Sequence, residues 1–420
     1  MSSISNQRAS GLPDGSAPDR AAADDAGRFP VVRSCFVYVA NFSAAGLNQP
    51  YLPVWLSSRG LGDSEIALVI SAPMFLRLIL TPLFGSIADR TGNYRTFVNV
   101  MAPIALVLAL CMSFAQGFWQ IFGLAALTMV VWHSIGPVVD ASVMRLIRRG
   151  IAGNYGRVRL WGSASFAAAT VIGGFILGWG GPNAVFAAFV CALALLTVTS
   201  FFMPGINPVS PHGRRKGFNV LKRPLLLVVF LSAALVFASQ ATFNTFGTVH
   251  MRELGYPDGA IGMLWALATS SEVAMFWAGP IIAGVLGPIG LLVLASVAAI
   301  IRWSLMSLDP GIGFTAVLQL LHAATFSGTY LGLMGFVQAA VEDEVGARAQ
   351  TTFATMLGLV TATATMANGP LYRELGAGAY AVAAVLPVIS LVLLLVFRNR
   401  LLAAISQGAP SSAELPARTP

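Results

Sequence analysis

The sequence predicts an all-α integral membrane protein with twelve transmembrane helices, arranged as two pseudo-symmetric halves of six, with both termini in the cytoplasm. Of its 420 residues, 56% are apolar and only 10% are charged, and the mean hydropathy is +0.75. Soluble proteins carry about 25% charged residues. Twelve spans of about 20 residues would occupy about 240 residues and leave only short loops and two tails. A large soluble domain, such as an ATPase or an extracellular receptor domain, is therefore not expected.

The apolar runs divide the chain into two halves, residues 31–203 and 224–397. The predicted spans lie at about 31–55, 64–87, 96–115, 118–140, 157–179, 183–203, 224–249, 260–284, 288–307, 312–340, 350–370 and 377–397. Residues 1–30 lack apolar periodicity and are predicted to be a disordered cytoplasmic tail. A basic linker, 204–223, separates the halves, and 398–420 form a second cytoplasmic tail. The runs do not alternate between polar and apolar residues, which favours helices over barrel strands.

The basic residues indicate the orientation of the chain. If both termini are cytoplasmic, most of the 25 Lys and Arg residues fall in cytoplasmic loops and tails. This bias follows the positive-inside rule, and we expect a multi-pass protein of the bacterial inner membrane. The basic residues that give the net charge of +8 therefore determine the orientation of the chain in the membrane, and no binding to nucleic acid is expected. The three cysteines lie inside apolar runs without metal-ligand spacing.

A weak internal repeat relates the two halves at a shift of 195 residues. The shift superposes the segment Gly60–Asp63 on Gly255–Asp258, Ile66 on Ile261, Gly181 on Gly376 and Arg77 on Glu272. Six spans repeated in parallel topology around a long central loop are typical of one large class of membrane transporters. Two opposite charges would then occupy equivalent positions in the second and eighth spans.

The loop between the second and third spans carries a recognisable motif. Its sequence reads G-x-x-x-D-R-x-G-x-x-R, formed by Gly85, Asp89, Arg90, Gly92 and Arg95. We expect the two glycines to allow close packing and a tight turn. The motif resembles the loop signature of the major facilitator superfamily, and this resemblance implies that the charged residues latch the cytosolic side and gate alternating access. The equivalent loop of the second half, 284–290, carries no charge.

Further segments narrow the resemblance. They are Asn48–Trp55, Tyr155–Ser163, Trp265–Glu272, Arg302–Trp303 and Leu321–Phe326. Together they resemble the phenylpropionate permease group, which is related to the lactose and nucleoside permeases. The resemblance covers about residues 31–397. It implies the major facilitator fold, a monomer, and a cavity lined by the first, fourth, seventh and tenth spans.

Three ionisable residues at membrane depth are candidates for proton coupling: Glu272, His322 and Arg302. Such residues are costly in a bilayer and usually face a cavity or a partner. A carboxylate that moves between a buried site and a nearby cation can load and release a proton, and histidine titrates close to neutral pH. The lactose permease resemblance implies the same roles. A static ion pair, a satisfied polar histidine and a snorkelling arginine are the alternatives.

Polar residues within the spans are candidates for binding substrate. They are Arg77, Asn48, Gln49, Tyr51, Gln240, Asn244, Gln319 and Phe326. Arg77 would hold a carboxylate as a bidentate donor, or pair with an acidic residue and stabilise packing. Amides among aromatic rings suit a small amphipathic ligand, and interhelical hydrogen bonding is the alternative. Near the cytoplasmic end, Asp140, Arg157 and Arg159 are expected to form a cluster of charges, either an interface salt bridge or part of a gate.

The leading hypothesis is a proton-coupled symporter that takes up a small organic solute, such as an aromatic carboxylate, by alternating access. Proton-driven efflux of drugs or metabolites, symport of a nucleoside or sugar, and a non-transporting membrane sensor are the alternatives. The expected partners are the small-molecule substrate, protons and the lipid bilayer. The sequence has no P-loop, Rossmann fingerprint, zinc spacing or Ser-His-Asp arrangement. We therefore expect neither an enzyme nor a cofactor or metal.

Overall fold

The computed structural model of the protein is a bundle of helices. It describes residues 20–91, 93–148, 155–205, 223–340 and 346–408, with side chains over 31–88, 93–147, 158–205, 223–340 and 349–406. Within these ranges there is no strand, which confirms the all-α class.

The helices of the first half begin inside the predicted N-terminal tail. They are α1 (Arg20–Asn48), α2 (Leu52–Ser58), α3 (Asp63–Thr91), α4 (Tyr94–Phe114), α5 (Gly117–His133), α6 (Ile135–Arg148) and α7 (Tyr155–Ser200). We expected disorder as far as residue 30, but the helix extends back to Arg20. The start of α4 is capped by Asn93, whose Oδ1 accepts from the Thr96 N–H at 3.2 Å.

The second half ends in a helix beyond the last predicted span. Its elements are α8 (Pro224–Ala238), α9 (Ala241–Glu253), α10 (Asp258–Met306), α11 (Ile312–Leu320), a π-helical segment (Ala323–Gly328), α12 (Thr329–Ala340), α13 (Gly346–Leu375), α14 (Gly378–Val396) and α15 (Arg398–Gly408). The first turn of α15 lies on the bundle, since Leu401 is fully buried. The predicted C-terminal tail therefore starts with a packed helix.

Eight helical segments of the described chain are long and apolar enough to cross a membrane. Two of them, 43 and 49 residues long, would measure about 65 and 74 Å as straight helices, against about 30 Å of hydrocarbon. Each is broken at a non-helical glycine, Gly181 at φ 71° and Gly287 at φ 65°, followed by a proline. Each therefore consists of two helices, and the count of twelve spans stays a prediction.

The predicted repeat is visible in the backbone. Gly60 and Gly255, 195 residues apart, have φ of 84° and 77°, and Gly181 and Gly376 have φ of 71° and 53°. A positive φ favours glycine because other residues clash there. Equivalent turns in the two halves thus need the same rare conformation, which supports the repeat.

The two halves meet closely at one end of the bundle, through α7 against α10 and α3 against α13. A Cβ on Gly174 would lie 2.5 Å from the carbonyl oxygen of Asp258, and a Cβ on Gly369 would lie 2.7 Å from the Ala67 Cβ. Only residues without a side chain allow this approach. We call this end, where Asp63, Gly174 and Asp258 lie, the outer end, in keeping with the predicted orientation.

The first glycine of the loop motif does not pack as expected. A Cβ added to Gly85 would meet no atom within 4 Å, so close packing does not explain this residue. The backbone around it is helical, because α3 continues to Thr91. Gly92 lies outside the described residues, and so do the side chains of Asp89 and Arg90.

Candidate functional site

A cavity of about 810 Å³ lies between the two halves. Residues of α1, α3, α7, α8, α9, α10, α13 and the π-helical segment line it, so both halves contribute. A volume of this size falls within the range of about 300–1,000 Å³ that is typical of small-molecule sites.

Broken helices bring polar groups to this cavity. The first predicted span is interrupted between α1 and α2, and the seventh between α8 and α9. Gln49 lies in the first break and Gln240 in the second, and both line the cavity. Irregular backbone at membrane depth is tolerated where it lines such a cavity. Gln49 Nε2 donates to Asn244 Oδ1 at 3.4 Å across the two halves, between positions 195 residues apart.

Glu272, His322 and Arg302 come together on the second-half wall of the cavity. Arg302 is 1% exposed, and its Nη1 lies 3.1 Å from Nδ1 of His322. On the other side of the ring, Nε2 of His322 lies 3.7 Å from Oε2 of Glu272. The histidine therefore bridges a cation and a carboxylate. We call this set the central triad.

The contacts of the central triad fix the tautomer of the histidine. An arginine has only donors, so Nδ1 of His322 must accept from Arg302 and carries no proton. The proton of the neutral ring is then on Nε2, which faces Glu272. A gap of 3.7 Å is longer than a hydrogen bond of about 2.7–3.2 Å, and a small movement would close it. The geometry thus lets the neutral ring donate from Nε2 to the ionised carboxylate of Glu272.

A π-helical turn presents the histidine. The segment Ala323–Gly328 widens the helix directly after His322, and such turns occur frequently at functional sites. Ser327 Oγ donates to the carbonyl oxygen of Glu272 at 3.1 Å and ties this turn to α10. The ring of Phe326 stacks on His322 with centroids 5.4 Å apart.

Gln319 acts through Arg302. It is 1% exposed, does not line the cavity, and accepts from Nη2 of Arg302. The arginine also lies over the ring of Trp303, 4.4 Å from its centroid. Gln319, predicted to bind substrate, therefore holds the arginine in place.

Two more arginines line the cavity from the first half, Arg77 on α3 and Arg159 on α7. Nε of Arg77 and Nη1 of Arg159 are buried without a hydrogen-bond partner. The Arg159 guanidinium lies 4.1 Å from the ring centroid of Phe42. With Arg302, the described residues that line the cavity include three arginines in all. They face a single carboxylate, that of Glu272. An anion would complete this arrangement.

Aromatic rings cover much of the remaining wall. They belong to Phe42, Phe166, Phe237, Phe243, Trp265 and Phe326. Trp265 is oriented by a hydrogen bond from its Nε1 to Thr248 Oγ1 at 3.0 Å. Rings next to arginines suit a ligand that is apolar at one end and anionic at the other.

Besides Gln319, two predicted substrate ligands do not reach the cavity. Asn48 and Tyr51 face a narrow cleft beside Phe186 within the first half. The Tyr51 hydroxyl donates to the carbonyl oxygen of Thr170. The break after α1 orients the side chains of Asn48 and Tyr51 towards the interior of the first half, whereas Gln49 faces the cavity between the two halves.

The predicted gate and charge cluster are described only in part. Arg95 donates from Nη2 to the carbonyl oxygen of Phe201 at 2.5 Å and so joins α4 to the end of α7. Asp140 accepts from the Tyr38 hydroxyl. The side chain of Arg157 lies outside the described residues. Arg159, predicted in this cluster, lines the cavity, and sequence reasoning gave no signal for that position.

Comparisons with known proteins agree with this architecture. The model of the MFS_1 like family matches residues 32–402. A probable 3-phenylpropionic acid transporter of Escherichia coli (strain K12) is 26% identical over 82% of this chain and 91% of its own length. A maltose permease of Geobacillus stearothermophilus is 26% identical over 67% and 73%. The crystal structure of the nucleoside transporter NupG superposes with a TM-score of 0.74 at 16% identity, over 88% of this chain and 98% of that one.

Proposed function

This chain belongs to the MFS_1 like family and is a multi-pass membrane transporter, and we propose that it is a proton-coupled symporter that takes up an aromatic carboxylate by alternating access. The observation that carries the proposal is the cavity, where two arginines of the first half and aromatic rings lie opposite a carboxylate–histidine pair. The name of the Escherichia coli relative points to the same class of solute.

The arginines of the first half bind the carboxylate of the substrate. Both guanidinium groups line the cavity. A carboxylate placed between them accepts charge-assisted hydrogen bonds from Arg77 and Arg159. The phenyl ring then lies among the aromatic side chains of the cavity. A lipophilic cation would meet three arginines, which makes efflux of cationic drugs less favoured.

Glu272 carries the proton, and His322 and Arg302 set the environment of its carboxylate. With Glu272 ionised, the four charged groups of the empty cavity sum to a positive charge, and a monocarboxylate alone would reduce it. Loading one proton together with the anion leaves the charge unchanged. An anion that enters alone works against an inside-negative membrane potential, at about 2.3 kcal/mol per 100 mV, and one proton per monoanion removes this cost. The Nε2–H of His322 donates to Glu272 while the carboxylate is ionised, and this hydrogen bond weakens when Glu272 takes up the proton.

The direction of access follows from the closed end. If the basic loops are cytoplasmic, the tightly packed outer end faces away from the cytoplasm, and the structure is the inward-facing state. Substrate and proton then leave to the cytoplasm, and the halves rock about the cavity to reopen the outer end.

The test is the external pH of lightly buffered, energy-depleted cells that express the protein. A pulse of 3-phenylpropionate should make the medium more alkaline, because protons enter with the anion. Pulses of a nucleoside, a galactoside and a maltoside test whether the protein transports a neutral solute with protons. Glu272→Gln should abolish the pH change with 3-phenylpropionate and spare exchange of preloaded substrate, which needs no net proton movement.

The matched control is Glu65→Gln. Glu65 lies on α3 at the outer end, where its Oε2 accepts from the Gly62 N–H at 2.9 Å, and it does not line the cavity. This variant should transport like the wild type. Proton-driven accumulation by Glu272→Gln would refute the role of Glu272, and alkalinisation only with a neutral solute would refute the substrate class.

A further inference from the structure

A second group of titratable side chains lies at the outer end, away from the cavity. It consists of His250 at the end of α9, Glu253 in the same turn, Asp309 in the loop before α11, and Tyr372 on α13. We call it the outer histidine cluster. None of its members lines the cavity, and the proposed transport mechanism uses none of them.

Both ring nitrogens of His250 have partners. Nε2 lies 2.8 Å from Oδ1 of Asp309, and Nδ1 lies 3.0 Å from the Tyr372 hydroxyl. The same hydroxyl lies 2.6 Å from Oε2 of Glu253 and donates to it. The ring is buried, with 6% of its side chain exposed, whereas Glu253 and Asp309 are 59% and 47% exposed. Protons can therefore reach the buried ring through two solvated carboxylates.

Counting donors shows which charge state these contacts require. An ionised carboxylate only accepts, so Nε2 must donate to Asp309. The single hydroxyl proton of Tyr372 goes to Glu253, so the tyrosine oxygen must accept from Nδ1. Both nitrogens of His250 then donate, which only the imidazolium can do. In the neutral ring one of the three contacts is lost.

The backbone at Asp309 supports this assignment. Asp309 is the one non-glycine residue of the described chain with a positive φ, at 50°. Aspartate tolerates this region better than most residues, yet the conformation is still unfavourable. The strained loop holds the carboxylate against His250, and such outliers occur at functional positions.

The cluster is joined to the closure of the outer end. The ring of Tyr372 stacks on Phe246 at 4.4 Å, and these two residues of the second half pack into the buried core of the first half. Gly369, one turn earlier on α13, lies against α3, where an added Cβ would be 2.7 Å from the Ser64 Cα. Tyr372 thus sits between the histidine and the interface of the two halves.

We propose that His250 is a second proton-binding site, separate from the central triad, and that its protonation stabilises the closed outer end. The groups that face the ring are Asp309, Glu253, Tyr372 and Tyr380, whose ring lies 5.5 Å away. Asp63 of α3 and Arg373 of α13 are the next charged groups.

The sign of the effect follows from linkage. The closed state binds the proton more tightly than the open state, because closure packs Phe246 and Tyr372 on the first-half core and this packing holds the Tyr372 hydroxyl against the ring. Lowering the pH therefore raises the closed population. We expect a change on the order of 10-fold in the closed-to-open ratio, within the range of single-site couplings.

The experiment measures the distance between spin labels at Ser57 and Leu375, two exposed residues at the outer end of opposite halves, in the full chain with its cysteines replaced. Between about pH 8.5 and pH 5.5, where histidine titrates, the short-distance population of the wild type should grow. In His250→Gln it should not change with pH. No substrate is needed, so failure of this inference is distinct from failure of the transport proposal.

Two further variants decide the cause. His133→Gln, at a histidine stacked on Trp132 in the first half, should keep the full pH response. If His250→Gln does not fold, Tyr372→Phe keeps the stacked ring but removes the hydroxyl, and should weaken the response. An unchanged pH response in His250→Gln or Tyr372→Phe, or no response in the wild type, would overturn the proposal.

Discussion

Replacing Gly262 by alanine should open the outer end of the transporter. Gly262 lies on α10 where it meets α7. A Cβ at this position would be 2.4 Å from the carbonyl oxygen of Thr170 and 2.9 Å from the Tyr51 hydroxyl. A carbon atom needs about 3.5 Å, so α7 must retreat by about 1 Å. The Tyr51 hydroxyl cannot simply turn away, because it donates to the same carbonyl oxygen.

The size of the effect follows from the cost of overpacking. An extra methyl group in a tightly packed interface costs about 1–3 kcal/mol. Only the state that is closed at the outer end makes this contact, so the whole cost falls on that state. The closed-to-open ratio should therefore fall by about 5- to 150-fold.

The assay is the same spin-label pair at Ser57 and Leu375, measured at one pH. Gly262→Ala should shift the distance distribution towards long distances. The matched control is Gly284→Ala on the same helix, where an added Cβ meets no atom within 4 Å, and it should leave the distribution unchanged. If Gly262→Ala and Gly284→Ala both behave like the wild type, the steric argument is wrong.

Two further predictions concern binding and stability. Arg77→Gln should raise the Kd for an aromatic carboxylate by about 10- to 150-fold, because a charged hydrogen bond is lost. The Kd for the corresponding alcohol should not change. Calorimetric titration measures both ligands, and an equal loss of affinity for both would contradict a carboxylate contact. Asn93→Ala should destabilise the protein by about 1 kcal/mol, because the N-cap of α4 is lost, whereas Asn93→Ser should retain most of the stability. Thermal unfolding in detergent compares the two variants, and equal Tm values would contradict the capping role.

The sequence predicted the class of the protein for a simple physical reason. Apolar runs of membrane length with few charges have no other stable environment than a bilayer. The repeat was also visible, because equivalent turns need glycine at a positive φ, as at Gly60 and Gly255. Charges within apolar runs marked Glu272, Arg302 and His322 as residues that need a partner, and the structure brings these three together.

The direction of each side chain could not be predicted in the same way. Asn48 and Gln49 are neighbours in an apolar run, and both were expected to bind substrate. The break after α1 turns Gln49 to the cavity and Asn48 into the first half. Arg159 was expected in a charge cluster at the cytoplasmic end, yet it reaches the cavity beside Phe42.

The sequence by itself thus determined that this chain crosses a membrane, that it is built from two related halves, and which ionisable residues lie within the apolar runs. Composition and periodicity depend on local sequence, which is why they can be read without a fold. Only the tertiary structure decided that His250 meets Asp309 and Tyr372, which are 59 and 122 residues away. It also decided that the outer end is closed by glycines. Such contacts depend on how distant helices pack, and no local pattern records them.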